Sequence, residues 1–354
     1  MQMESTLQPT PEYYWIEIAR VGRKIVEEVF PIRPGENVVV TADTLSDWRV
    51  VQETVKAIYA IGATPTLIVH PATPLATSDP PRPVIAAVQN TDAWIDFNTV
   101  YLLYSRAWTK AMQAGVRYFI LPGDVDSLVA MVGRVDYAVL DAMANKLAEV
   151  SEKSPEMCIT SALGTDIRLK VDPARSEGHV FKLGGGKPTP GDGGWTQVPP
   201  GQATIGHVYD SVEGTLVLDG AIWPPREIGA LREPVRLEVS KGEITQISGG
   251  QEARVLERWL AAFNHPGVYR IDHLSFGFNP GVRRCNGEIG HDERVFGCIE
   301  FGVGSAWAGG PSHWDGVVLE PSIWSGDTQL EQDGKYVHPD LVELARQLGV
   351  DGYA

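Results

Sequence analysis

The chain has 354 residues, 43% of them hydrophobic, with 45 acidic against 30 basic side chains and a formal net charge of -15. That length accommodates two packed cores more readily than one. The acidic balance argues against a polyanionic partner such as DNA, RNA or an acidic membrane surface, and it favours solubility.

An amphipathic run from Tyr13 to Phe30 predicts a first helix, and Asn37-Val38-Val39-Val40-Thr41 a strand, with a helix near Trp48 to Ile61 after it. Thr64 to Val69, Trp94 to Phe97 and Tyr118 to Leu121 are short apolar strands, each followed by a helical or loop segment. This alternation predicts an α/β layer with a mainly parallel sheet. After about residue 155 the pattern changes to hairpins: Met157 to Val171, Glu213 to Ile222, and Val235 to Ile247 turning at Lys241-Gly242. The second half therefore reads as an α+β unit. The expected organisation is an N-terminal α/β domain over residues 1–154 and a C-terminal metal-binding α+β domain over residues 155–354. The substrate pocket is expected in the cleft between them. The stretch Gly184 to Gly194 is too rich in Gly and Pro for regular structure, and with no GxxxxGK[ST] sequence it reads as a lid or linker rather than a nucleotide cradle. A helix from Pro339 to Leu348 closes the chain, and no internal repeat is visible.

Cys158, Cys285 and Cys298 are odd in number and widely spaced, with no CxxC, so they read as free thiols in a reducing compartment. No apolar run approaches the roughly 20 residues needed to span a bilayer. Met1 to Pro11 lacks the basic and apolar regions of a secretion signal. A cytoplasmic location without a membrane partner is the expectation.

Pro311-Ser312-His313-Trp314-Asp315-Gly316-Val317-Val318 carries a His-x-Asp pair on a strand pattern. Side chains alternate with period two, so His313 and Asp315 share a face while Trp314 points away. An imidazole beside a carboxylate suits a divalent transition metal, and a second imidazole would complete the facial triad of non-haem iron oxygenases. His207 and His273 lie in strand-like surroundings, and His273 leads into the loop Phe278-Asn279-Pro280-Gly281, a plausible site rim. Glu300 interrupts the apolar strand Phe296 to Gly304, where a carboxylate is costly to bury unless paired or bound to metal. For each of these residues the plainer alternative is a satisfied polar group of the core.

Five ordered landmarks carry a family resemblance: Pro199-Pro200-Gly201-Gln202, Ser211-Val212-Glu213-Gly214-Thr215-Leu216-Val217-Leu218-Asp219, Gly277-Phe278-Asn279-Pro280-Gly281, Asp292-Glu293-Arg294-Val295-Phe296-Gly297, and Ser312-His313-Trp314-Asp315. Over roughly residues 195–320 the chain resembles the aminopeptidase-T-like (thermophilic aminopeptidase) superfamily. It departs from the peptidases at their two-metal centre. Gln202 and His273 stand in place of glutamates, Glu300 in place of a histidine, and Trp307 in place of a catalytic tyrosine. These departures bring it closer to the 2,5-dihydroxypyridine 5,6-dioxygenase branch. Further shared landmarks are Glu213 to Asp219, Phe263 to Tyr269, and Tyr101-Leu102-Leu103-Tyr104-Ser105.

That resemblance implies a mononuclear Fe(II) site held by His273, His313 and Asp315. Tyr104 and Gln197 stand where the family has two substrate-handling histidines. Tyr104 is thus the expected acid or base, Gln197 and Ser105 are expected to contact substrate, and Glu300 is a fourth ligand or a base beside the metal. The implied activity is a ring-cleaving dioxygenase using O2 on a hydroxylated N-heterocycle or aromatic compound, in a homo-oligomer. The alternative is a metal-dependent amide or peptide hydrolase whose ligands His273, Glu300, His313 and Asp315 hold zinc or manganese. A third is a catalytically silent metal-binding or scaffold protein, for which Gln202 and Trp307 are losses.

Overall fold

A computed structural model of the chain describes residues 15–183, 186–189, 192–304 and 310–353. The expectations for Met1 to Pro11, Trp307 and parts of the Gly-rich stretch (184–185 and 190–191) lie outside the described residues.

The Val-rich strand Asn37–Asp43 is buried along nearly its whole length, as a strand covered on both faces must be. It lies in a sheet ordered Thr64–His70, Asn37–Asp43, Ala93–Asp96, Arg117–Ile120, Trp195–Gln197, Val180–Lys182. All neighbours run parallel except the last pair. Helices Trp15–Lys24 and Trp48–Ala60 cover one face. Arg82–Val88 and Arg106–Gln113 cover the other.

The second half builds two antiparallel sheets. An eight-stranded one runs from Glu243–Gly249 through Val235–Ser240, Glu213–Leu218, Asp166–Lys170, Glu156–Thr160, Ser322–Ser325 and Thr328–Gln332 to Lys335–Tyr336. A six-stranded one is ordered Gly229–Ala230, Ala221–Trp223, Trp314–Val318, Cys298–Val303, Ile271–Gly277, Gln202–Ile205. One apolar core joins both sheets to helices Tyr137–Ser151 and Gln251–Ala262. The α/β and α+β architecture thus matches the expected fold class.

Two expectations change. Residues 213–222 are not a hairpin: Glu213–Leu218 stays in the larger sheet, whereas Ala221–Trp223 pairs with Trp314–Val318 in the other. The switch occurs where the Asp219 and Gly220 amides both donate to the Val317 carbonyl, at 3.2 and 3.0 Å. The division at residue 154 is also crossed twice. Helix Tyr137–Ser151 gives Leu140, Met143 and Leu147 to the antiparallel core. Strands Val180–Lys182 and Trp195–Gln197 return to complete the parallel sheet, and the Gly-rich stretch connects that antiparallel pair. Lys241 and Gly242 both adopt positive φ, as a two-residue hairpin turn requires. The last helix, Pro339–Gln347, buries Leu341 and Ala345. Among the described residues no helix is long and apolar enough to cross a membrane.

Glu331, in strand Thr328–Gln332, is fully buried with neither carboxyl oxygen hydrogen-bonded among the described residues. Burial alone holds its carboxyl well above the usual range. A raised folded value means the unfolded chain ionises first, so this group's contribution is full below about pH 4 and is lost as pH rises. Glu331→Gln should therefore raise the melting temperature at neutral pH and change little near pH 4, as paired thermal unfolding at the two pH values would read. An equal effect at both would refute the assignment.

Candidate metal centre

Asp96 ends its strand fully buried and organises the loop that follows. Its carboxylate accepts from Thr41 Oγ1 (2.9 Å), Asn98 N (3.1 Å), Leu102 N (2.9 Å) and Tyr118 OH (2.6 Å). Asp43, on the neighbouring strand, accepts from Thr99 N at 2.7 Å and Thr99 Oγ1 at 3.0 Å. Ser105 then caps the helix Arg106–Gln113, accepting from Trp108 N at 3.2 Å. Pinned in this way, the loop presents Tyr101 and Tyr104 to the six-stranded antiparallel sheet.

On that sheet, His273, Gly302 and Asp315 face one another across three strands. Glu300 lies two residues before Gly302 and His313 two before Asp315, so all four polar side chains share a face. Gly302 makes the close packing possible: a Cβ there would stand 2.1 Å from His273 Cε1. His313 Nε2 lies 3.0 Å from Asp315 Oδ1, and His273 Nε2 lies 3.9 Å from the same oxygen and 3.4 Å from Glu300 Oε2. The two imidazoles stack at 5.1 Å between ring centroids. His313 Nδ1 is 3.0 Å from the Gly304 carbonyl; donation there would leave Nε2 with its lone pair facing the cluster.

The residues brought together are thus His273, His313, Asp315, Glu300 and Tyr104, whose ring lies 4.8 Å from that of His313. Two overlapping groups have ligand atoms close enough to hold an ion: Asp272, His273 and His313, and His273, Glu300 and Asp315. Gln197 is elsewhere. Its amide donates to the Val29 carbonyl at 2.6 Å and to Tyr137 OH at 3.1 Å, and its side chain does not line the cavity. Ser105 is a buried helix cap, likewise outside the lining. His207 is buried beyond His273, its ring 5.6 Å from that of Tyr209.

Charge crowding dominates the electrostatics. Burial raises the carboxyl of Glu300, against the pull of His273. Burial would lower His273, but Glu300, Asp272 and Asp315 outweigh it and hold its imidazolium well above the ordinary range. Glu293 is pushed up to about 8 by burial despite Arg294 beside it. Burial drives the Tyr101 and Tyr104 phenols well above their ordinary values, so both remain protonated donors at neutral pH. Arg294 is itself fully buried. It donates to Gln202 Oε1 at 2.6 Å, which turns the Gln202 amide nitrogen towards Glu300 Oε2 at 3.5 Å. Glu300 Oε1 is left without a partner among the described residues.

A cavity of about 50 Å³ opens on this cluster, with Tyr101, Tyr104, Glu177, His273, His313 and Asp315 in its wall. Glu177, Thr204 and His273 also border a chamber of about 200 Å³ on the far side. Sequence reasoning did not single out Asp272, Tyr101, Arg294 or Glu177 as site residues. Strand alternation sends Asp272 away from His273, but the register shifts between Ile271 and His273, and this irregularity brings both to the cluster. Glu177 carries no local signal, because a tertiary pairing with strand Gln202–Ile205 places it.

The family described as NicX, 2,5-dihydroxypyridine 5,6-dioxygenase, matches residues 25–302, a span that includes His273 and Glu300 and ends before His313. The 2,5-dihydroxypyridine 5,6-dioxygenase of Pseudomonas putida KT2440 is 29% identical over 271 residues, covering 72% of this chain and 73% of that protein. Two solved structures share the fold. The 2,5-dihydroxypyridine dioxygenase of Pseudomonas putida KT2440 has a TM-score of 0.73 at 20% identity, covering 92% of this chain and 99% of the other. Wild-type AmpT from Thermus thermophilus has a TM-score of 0.65 at 14% identity, covering 92% and 100%.

The Arg294, Gln202 and Glu300 chain is open to test by stability. Gln202→Leu removes the acceptor of a buried guanidinium and the donor facing a buried carboxylate, each costing about 1–3 kcal/mol when left unsatisfied. Urea unfolding should show a loss of that order, and an unchanged midpoint would refute the coupling.

Proposed function

The chain belongs to the 2,5-dihydroxypyridine 5,6-dioxygenase family, and from that premise we propose that it is a ring-cleaving dioxygenase acting with O2 on a hydroxylated N-heterocycle of the dihydroxypyridine class. The observation that carries the reading is the cluster of two imidazoles and a carboxylate on one sheet face, His313 and Asp315 buried and His273 half-buried, at the floor of a small cavity. In this reading His273, His313 and Asp315 hold one Fe(II). The donor set fits: it has the two-histidine, one-carboxylate composition of non-haem oxygenases. Glu300 Oε1 is in addition a buried carboxylate oxygen lacking a partner among the described residues, which a dication alongside would satisfy.

Bound there, iron would supply a redox-active Lewis acid with coordination positions open to the substrate hydroxyl and to O2. The chain's own residues do the rest. Tyr104, a phenol held protonated beside His313, donates a hydrogen bond to substrate and orients the ring. Asp315 is steadied by Tyr101, whose hydroxyl lies 3.5 Å from Oδ2. Glu300 is fixed by Gln202 and adds negative charge beside the ligands. Phe181, Val198 and Pro199 line the cavity with apolar surface and keep it poor in water. A homo-oligomer in the cytoplasm belongs to the same proposal, supported by the family resemblance, the unpaired cysteines and the acidic charge.

Protein purified and loaded with iron anaerobically should bind about one Fe(II) per chain, the stoichiometry of a single facial triad. It should then consume O2 when given 2,5-dihydroxypyridine. His273→Ala and His313→Ala should abolish both. Gly302→Ala, which collides with the His273 ring, should lower iron affinity by about 10–100-fold, as loss of ligand orientation does. Zinc or manganese binding with amide hydrolysis and no O2 uptake would replace this reading with the metallohydrolase.

A further inference from the structure

We propose that Glu177 is the proton acceptor for the substrate's ring hydroxyl, a role that rests on the dioxygenase reading of the same site. Its backbone is stapled in place: the amides of Glu177 and Gly178 both donate to the Thr204 carbonyl, at 3.3 and 3.0 Å, and Thr204 N returns a 2.8 Å bond to Gly178 O. Thr204 pairs with Ser275, two residues beyond His273 on the adjacent strand. The Glu177 side chain consequently lines both the cavity over His273, His313 and Asp315 and the chamber beyond it.

The other acids of the site are committed. Asp272 accepts from Tyr209 OH at 3.3 Å, Glu293 from Arg294 at 3.1 Å, and Glu300 faces Gln202 and His273. The Glu177 side chain makes no hydrogen bond or ion pair among the described residues, and neither of its carboxyl oxygens is sealed from the cavity. A carboxyl with open oxygens beside the cluster is placed to touch a bound ring. Tyr101 and Tyr104 cannot serve as acceptors, since their phenols stay protonated. Gln197, the residue in place of a family histidine, points elsewhere. Burial, opposed by His273, brings the Glu177 carboxyl up to about 7.

The step is a simple proton transfer. The O–H bond of the ring hydroxyl breaks, its electron pair stays on the ring oxygen, and the proton passes to a Glu177 carboxylate oxygen with no change of oxidation state. Glu177 is restored by returning that proton to the ring-opened product.

The test titrates 2,5-dihydroxypyridine into iron-loaded protein under argon and reads the ultraviolet spectrum of the bound ring, which separates neutral from anionic forms. Oxygen uptake then gives kcat and KM. The unsubstituted protein should bind the anion. Glu177→Gln should retain iron, bind the neutral ring with a similar KM, and lose about 100-fold or more in kcat, as removal of a general base does. An anionic ring and unchanged kcat in Glu177→Gln would overturn the inference while leaving the dioxygenase reading intact. No spectral change and no O2 uptake in the unsubstituted protein would overturn that reading, and this inference with it. Should Glu177→Gln lose its circular dichroism signal, Glu177→Asp takes its place. It withdraws the carboxyl by one methylene, so kcat should fall at constant KM, and unchanged kcat would overturn the role.

Discussion

The site is governed by one constraint: several carboxyl groups are buried together and must be compensated. Asp272, Glu300 and Asp315 crowd around His273 and His313, with Glu293 close behind. Isolated buried charge is costly enough that a group ordinarily neutralises or finds a partner. Both responses are visible. Glu293 and Glu300 are pushed towards protonation by burial, while His273 is held charged by the carboxylates that outweigh its own burial. A dication within reach of the same oxygens would relieve this crowding without moving the sheet.

Rigidity of position follows from how the two halves meet. The cluster lies on three adjacent antiparallel strands whose backbone bonds fix the register. Its cover, Tyr101 and Tyr104, hangs from Asp43 and Asp96 at the ends of parallel strands, where open α/β sheets present their loops. The cores that hold the parallel sheet include Ala221, Trp223, Cys298 and Val317 from the antiparallel half. The wall of the cavity and its floor therefore belong to one continuous packing arrangement. Tyr101 and Asp315, 214 residues apart in sequence, can be held 3.5 Å apart for that reason.

What could be read in the chain depended on the range of the interaction. Strand Asn37–Asp43, helix Trp48–Ala60 and the Lys241-Gly242 hairpin follow from local pattern, and His313 with Asp315 follows from alternation alone. His273 was visible as a histidine in strand-like surroundings leading into a Gly/Pro loop, and Glu300 as a carboxylate interrupting an apolar strand. Asp272 was hidden because a register shift suspends alternation. The false hairpin at residues 213–222 has the same origin: the Val317 carbonyl that receives the Asp219 and Gly220 amides lies about a hundred residues away. Gln197 was expected at the site by position in the family, yet its amide is occupied by Val29 and Tyr137 across the parallel sheet. Glu177 depends on a bridge between Gly178 and Thr204 that nothing local encodes.

Gln202 ties the charge arithmetic to the chemistry. A carboxylate at this position would add a further buried negative charge facing Glu300, and the Arg294 guanidinium would be the cation within bonding distance to oppose it. As an amide, Gln202 instead accepts from Arg294 and donates to Glu300. Arg294 remains matched to Glu293, and the carboxylates facing the imidazoles are left to whatever occupies the cluster. With no carboxylate at this position, the residual negative charge would suit a single divalent ion, as the dioxygenase reading requires. A single ion with substrate beside it needs its proton acceptor outside the ligand set. In this wall that leaves Glu177, whose backbone is held by the fold and whose carboxyl makes no hydrogen bond or ion pair among the described residues.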